Sequence, residues 1–136
     1  MQSHAYVAIV TILALLTYVW MGLQVGAARG KSGIAAPAMT GDPVLERTIR
    51  AHYNTLEWLP LFLTSLWLFA IYWSDLVAAG LGVVWIIGRI LYQTGYVRDP
   101  SKRELGFLVQ AAATGILLFG SLGKVIYDLV VTPGLT

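Results

Sequence analysis

Cysteine is absent from the 136 residues, which excludes disulfides, thiolate-bound metals and a cysteine nucleophile together. Any sulfur chemistry must therefore draw its sulfur from outside the chain. Histidine is nearly absent: His4 and His52 are the only two, with no second ligand at zinc spacing, so no catalytic metal site is expected. Charge is scarce as well. Asp, Glu, Lys and Arg make up 12% of the residues, against about 25% in ordinary soluble domains. Nine Lys and Arg against seven Asp and Glu leave a net charge of +2, and no basic tail or RNA-reading aromatic motif occurs. Nucleic acid is thus an improbable class of partner. Neither a GxSxG nucleophile turn nor a glycine-rich phosphate loop is found. No Lys or Arg precedes Arg29, so the basic n-region of a cleavable signal peptide is missing and the first apolar run reads as a retained span.

What the chain has in abundance is apolar sequence, at 57% hydrophobic residues against about 45–50% in soluble domains. A membrane-crossing helix takes roughly 20 residues, so four of them fit this length with short connections. The expectation is a single all-α domain over 1–136, an integral membrane four-helix bundle with spans at about 5–28, 44–73, 76–97 and 101–131. Between the first two spans, residues 29–43 are small, polar and turn-rich. Asp42-Pro43 reads as an N-cap followed by proline in the first helical position. Ser74-Asp75 supplies a tight turn. Asp99-Pro100 opens the fourth helix, where Ser101 and Glu104 also have capping-box spacing, and Pro133-Gly134 closes it.

Basic residues near short loops tend to remain cytoplasmic. Here Arg29, Lys31, Arg47 and Arg50 flank the first loop and Arg98, Lys102 and Arg103 the third, while the N-terminus, the Ser74-Asp75 turn and the tail after the fourth helix have no Lys or Arg. Both termini are therefore expected on the non-cytoplasmic side, in the inner membrane of a bacterium or the endoplasmic reticulum of a eukaryote. Trp20, Tyr72, Trp73 and Tyr127 lie near span ends and read as interface-belt aromatics. Gly22 and Gly26 form a GxxxG pair, a weak packing signal among 14 glycines.

At roughly 100° per residue, Arg50, Asn54 and Glu57 fall within about 60° of one another, and Glu46 extends that face by a turn. A charge in hydrocarbon costs at least about 2.5–3.5 kcal/mol, so these groups must face the bundle interior or a wet cavity. Two readings stand: a ligand site, or a polar network through Asn54 that satisfies only itself. Arg89, Tyr92 and Tyr96 share a face of the third helix in the same way. A structural partner for Arg89 is a carboxylate on the neighbouring helix, such as Glu57. Arg103, Gln110 and Thr114 line up on the fourth helix. Donors from three helices beside carboxylates, near one membrane surface, suit a small polyanionic or zwitterionic ligand. His52 points about 160° away from the Arg50 stripe and reads as an interfacial or subunit-contact residue. Arg47 reads as an interfacial charge, and Lys124 with Asp128 as a plain helix pair.

The segment Glu46-Arg-Thr-Ile-Arg-Ala-His-Tyr-Asn-Thr-Leu-Glu-Trp-Leu-Pro60, followed by Arg89-Ile-Leu-Tyr-Gln-Thr-Gly-Tyr96 and Arg103, resembles the MAPEG family of membrane-associated proteins in eicosanoid and glutathione metabolism. The third-helix string with its following arginine is similar to the microsomal glutathione transferase and leukotriene-C synthase branch. The resemblance implies a homotrimer of four-helix subunits that binds glutathione as cosubstrate between subunits at the cytoplasmic side. Position by position, it implies that Arg50, Asn54, Glu57, Tyr92 and Tyr96 hold glutathione and that Arg103 is the catalytic arginine, with Tyr96 assisting. His52 stands where leukotriene-type members carry Gln and is expected to touch the peptide. Trp58 replaces a tyrosine that contacts glutathione in relatives. A further first-loop arginine has only Arg29 or Lys31 as matches.

The implied function is a glutathione-dependent transferase or peroxidase of the detoxification type. A guanidinium beside a thiol favours the thiolate, which attacks a lipophilic electrophile or lipid hydroperoxide entering from the bilayer. The alternative is a non-catalytic lipid-binding or scaffold member of the same family. A transporter built on Glu57 and Arg89 would need a polar path to the far side, whereas the stripes cluster toward one surface.

Overall fold

The computed structural model describes residues 3–132, and every regular element in that range is helical. Helix α1 covers Ala5–Ser32, α2 Pro43–Tyr72, α3 Asp75–Arg98 and α4 Glu104–Val131, with a short 3-10 turn over Pro100–Arg103. The shortest, α3, has 24 residues and at 1.5 Å per residue is about 36 Å long, enough for a hydrocarbon core of about 30 Å. All four helices are long and apolar enough to cross a membrane.

The helix starts follow their capping chemistry. The Asp42 carboxylate accepts the Leu45 N–H at 2.9 Å with Pro43 in the first turn, and the Ser74 hydroxyl accepts the Val77 N–H at 3.2 Å. Asp42→Ala should cost about 1 kcal/mol, read as a lower thermal midpoint of the detergent-solubilised protein; an unchanged midpoint would mean that the cap carries nothing.

Two boundaries depart from the expectation. Helix α1 continues a turn past Ala28 to Ser32, stopping where Gly33 adopts a left-handed backbone (φ 73°) and its N–H reaches the Arg29 carbonyl at 2.9 Å. The Ser101–Glu104 capping box does not form. Instead the Asp99 carboxylate accepts the Ser101 N–H at 3.0 Å, and the chain makes a 3-10 turn before α4 begins. That backbone N–H, helped by the Ser101 hydroxyl and the charges of Lys102 and Arg47, holds the Asp99 carboxyl below its usual pKa. The Pro133-Gly134 stop lies outside the described residues.

The core runs through the bundle from Val7, Val10 and Ala14 on α1 to Phe62 and Leu66 on α2, Trp85 on α3 and Leu117 on α4. Phe62 and Trp85 stack face to face at 4.0 Å. Glycine permits the closest backbone approach, where Gly88 of α3 meets Gly106 of α4. In the GxxxG pair, Gly22 accommodates the His52 ring at 3.4 Å from where a Cβ would stand, whereas Gly26 has nothing within 4 Å. At the opposite end, Asp75 joins α3 to α1 by accepting the Tyr6 N–H at 3.2 Å and facing His4 at 3.5 Å. Large apolar side chains such as Ile12, Leu23, Leu108 and Phe119 are more than half exposed on the outside, as lipid-facing helices require.

Candidate functional site

Helix α2 presents Glu46, Arg50, Asn54 and Glu57 on one face, and the structure brings all four to one cleft of about 480 Å3. Tyr92 of α3 and Arg103 of the 3-10 turn close its other wall. Clefts of this size take small-molecule ligands. Met39 and Thr40 from the first loop, together with Ile49 and Tyr53 of α2, complete the lining. Tyr53 was legible in principle, being three residues after Arg50 and four before Glu57. The loop residues were not, because nothing in a turn-rich segment shows where it folds back.

Charge in this cleft is not spent on internal pairing. Among the described residues the only ion pairs within 4 Å are His4–Asp75 and Lys124–Asp128, so Arg50, Arg103, Glu46 and Glu57 have none. Arg50, Glu57 and Arg103 are all exposed. A polar network that satisfied only itself would have consumed these groups. The expected Arg89–Glu57 pair is absent. Arg89 is fully buried inside the bundle and instead donates to Asn54 Oδ1 at 2.8 Å and Thr55 Oγ1 at 3.3 Å, whereas the Glu57 side chain is exposed.

Tyr96 is nearly buried and lies one step away, lining a neighbouring hollow of about 300 Å3 with Arg47, Arg50 and Glu46. Its ring supports the Arg103 guanidinium at 5.7 Å and stands 5.6 Å from Tyr92, and Glu46 and Arg50 line both hollows. Arg47 thus stands closer to the site than its reading as a mere interfacial charge implied.

Several residues stand outside this cleft, His52 where its spacing put it and not where the resemblance did. His52 is not brought to this cleft; it stacks on Tyr18 of α1 at 4.4 Å, on the flank of α2 opposite the Arg50 face. Trp58 also lies inside, edge-on to Phe107 at 5.6 Å and beside Arg89. The α4 stripe splits: Gln110 and Thr114 are buried between helices, and only Arg103 reaches the cleft, because the 3-10 turn advances about 120° per residue and breaks the α-helical phase. Arg29 is engaged within its own loop, donating from Nη1 to the Ala38 carbonyl at 2.6 Å and the Ile34 carbonyl at 3.3 Å. Lys31 makes no hydrogen bond among the described residues. Those residues also contain no group of His, Asp and Glu positioned to hold a metal ion.

The sequence model of the MAPEG family matches residues 7–123, which takes in the cleft, all of α2 and α3 and most of α1 and α4. An uncharacterized protein of Synechocystis is 45% identical over 90% of this chain and 89% of its own. Human microsomal glutathione S-transferase 2 is 40% identical over 85% of this chain and 80% of its own. The leukotriene C4 synthase of Rattus norvegicus is 37% identical over 86% and 84% respectively.

Proposed function

The chain belongs to the MAPEG family, and from that footing we propose that it is a membrane-embedded glutathione S-transferase that also reduces lipid hydroperoxides. The carrying observation is the cleft in which Arg50 and Arg103, neither in an ion pair, face Asn54, Glu57 and Tyr92. Glutathione is both anionic and zwitterionic. It brings carboxylates for guanidinium groups, an ammonium for Glu57, and the thiol that the cysteine-free chain lacks.

Arg50, Asn54, Glu57, Tyr92 and Tyr96 hold the peptide, and Arg103 faces its sulfur as the catalytic group. A free thiol has a pKa of about 8.5, and a fixed positive charge beside it stabilises the thiolate. The thiolate attacks an electrophilic carbon and displaces its leaving group, or attacks a peroxide oxygen to release the alcohol, with a second glutathione reducing the resulting sulfenate to disulfide and water. Tyr96 supports Arg103 from beneath and assists by hydrogen bonding. His52 joins the site only as a contact from a neighbouring subunit, in keeping with a homotrimer. The seven basic residues that flank the first and third loops put the cleft end in the cytoplasm and both termini on the other side, with the lipophilic substrate entering sideways from the bilayer.

The test is glutathione-dependent conjugation of 1-chloro-2,4-dinitrobenzene and reduction of cumene hydroperoxide by the detergent-purified protein, with glutathione binding measured calorimetrically in the same preparation. Arg50→Ala should raise the glutathione KM by about tenfold while leaving kcat within about threefold, the signature of lost ground-state binding. Binding without turnover would turn attention to other electrophiles. Absence of glutathione binding would sink the enzyme reading and favour a lipid-binding scaffold.

A further inference from the structure

Arg89 is a cation with no carboxylate within 4 Å among the described residues, fully buried in the middle of the bundle. Its guanidinium is walled by three aromatic rings, with centroids at 5.0 Å for Tyr92, 5.6 Å for Trp85 and 5.9 Å for Trp58. Such stacking offsets part of the cost of burying the charge, yet Nε and Nη2 are buried without a hydrogen-bond partner. An apolar residue of similar length would avoid that penalty. Retaining an arginine here calls for a gain elsewhere, and the short contact on its remaining arm shows where: Nη1 to Asn54 Oδ1 at 2.8 Å.

That contact fixes more than a distance. A guanidinium only donates, so the Asn54 atom it meets must be the amide oxygen, and the usual oxygen/nitrogen ambiguity of an asparagine is resolved by chemistry. Asn54 is partly exposed and lines the cleft, and its Nδ2 makes no hydrogen bond among the described residues. We propose that Arg89 is a positioning residue which, by holding the Asn54 carbonyl, turns the Asn54 amide N–H groups toward the cleft and makes this a subsite for a hydrogen-bond acceptor. The subsite therefore takes a carboxylate or peptide carbonyl oxygen and rejects an ammonium, which is left to Glu57 one turn further on. Naming glutathione as the bearer of that acceptor rests on the proposed function; the orientation of Asn54 does not.

A double-mutant cycle separates these statements. Arg89→Met removes the guanidinium and keeps an apolar side chain against the aromatic wall, a replacement buried sites commonly tolerate. Arg89→Met and Asn54→Ala should each raise the glutathione KM about tenfold with kcat little changed, and the double variant should be no worse than either single one. A merely structural arginine would instead lower the active fraction, reducing kcat at constant KM. If the two effects multiply in the double variant, or Arg89→Met leaves the KM unchanged, the positioning role is overturned.

A thermal arm needs no ligand. Asn54→Asp should raise the unfolding midpoint by supplying the buried guanidinium with a carboxylate, and should lower it in the Arg89→Met background, where that carboxylate has no partner. Midpoints that shift alike in both backgrounds would show that Arg89 does not hold residue 54. Should wild-type protein bind no glutathione, the functional reading falls while this arm still judges the Arg89–Asn54 arrangement.

Discussion

Arg103→Ala should lower kcat for conjugation at pH 7 by about 30-fold or more, with the glutathione KM changed far less. A thiol with a pKa of about 8.5 is only about 3% thiolate at pH 7. If the guanidinium makes the bound thiol mostly thiolate, its removal forfeits that factor, together with any charge stabilisation it gives the transition state. Arginine suits this task because its charge does not depend on pH in the working range. The support beneath it is the Tyr96 ring at 5.7 Å. The pH profile distinguishes this cause from a general loss of structure. Lowering the thiol pKa favours the deprotonated form, so the wild-type rate should level off below pH 8, whereas the variant rate should keep climbing toward pH 9 and recover most of the deficit. A deficit that stays constant from pH 6.5 to pH 9 would show that Arg103 does not act on thiol ionisation.

Gly106→Ala should be the most damaging single-methyl change in the chain. A Cβ at position 106 would stand inside contact distance of the Tyr92 backbone nitrogen and 2.6 Å from both the Gly88 carbonyl oxygen and Tyr92 Cα. All three obstacles are main-chain atoms and none can rotate away. The methyl must push α3 and α4 apart at the level of Tyr92 and Arg89, opening the wall behind the cleft. The expected cost is about 3 kcal/mol, with loss of glutathione binding as Tyr92 shifts. Gly115→Ala on the same helix is the control, since nothing lies within 4 Å of its Cβ position; there the substitution should be neutral or stabilise by up to about 1 kcal/mol. Thermal unfolding in detergent with glutathione titration reads both. Equal midpoints for the two variants would mean that the Gly88–Gly106 approach is not needed.

These two cases mark different degrees of legibility. The polar face of α2 is local: Arg50, Asn54 and Glu57 belong to one regular helix, so their spacing alone places them on one side, and the structure brings them to one cleft. The same arithmetic fails for Arg103, Gln110 and Thr114, because Arg103 belongs to the 3-10 turn and not to α4. Asp99 signals the turn, yet its carboxylate caps Ser101 and no sequence rule fixed how far the irregular segment would run.

Glycine shows the same division. With 14 glycines in the sequence, spacing singled out Gly22 and Gly26, whereas the contact that sets the α3–α4 distance is between Gly88 and Gly106. Which glycines meet depends on helix crossing and rotation, and neither is encoded in the neighbours of a single residue.

By itself the sequence determined the class of protein and the outline of its chemistry. Four apolar runs long enough to span a bilayer admit only helices, because backbone polar groups in hydrocarbon must be satisfied within each segment. Charges placed regularly among them had to be turned away from lipid, and a chain without cysteine has no thiol of its own. Tertiary structure alone decided which charges remain available. Arg89 and Arg103 are alike as sequence, but one is enclosed by Trp58, Trp85 and Tyr92 and spends its free arm on Asn54, while the other opens into the cleft. The physical reason is that burial and hydrogen-bond partners come from other helices, whose rotation and approach are set by packing across the whole bundle.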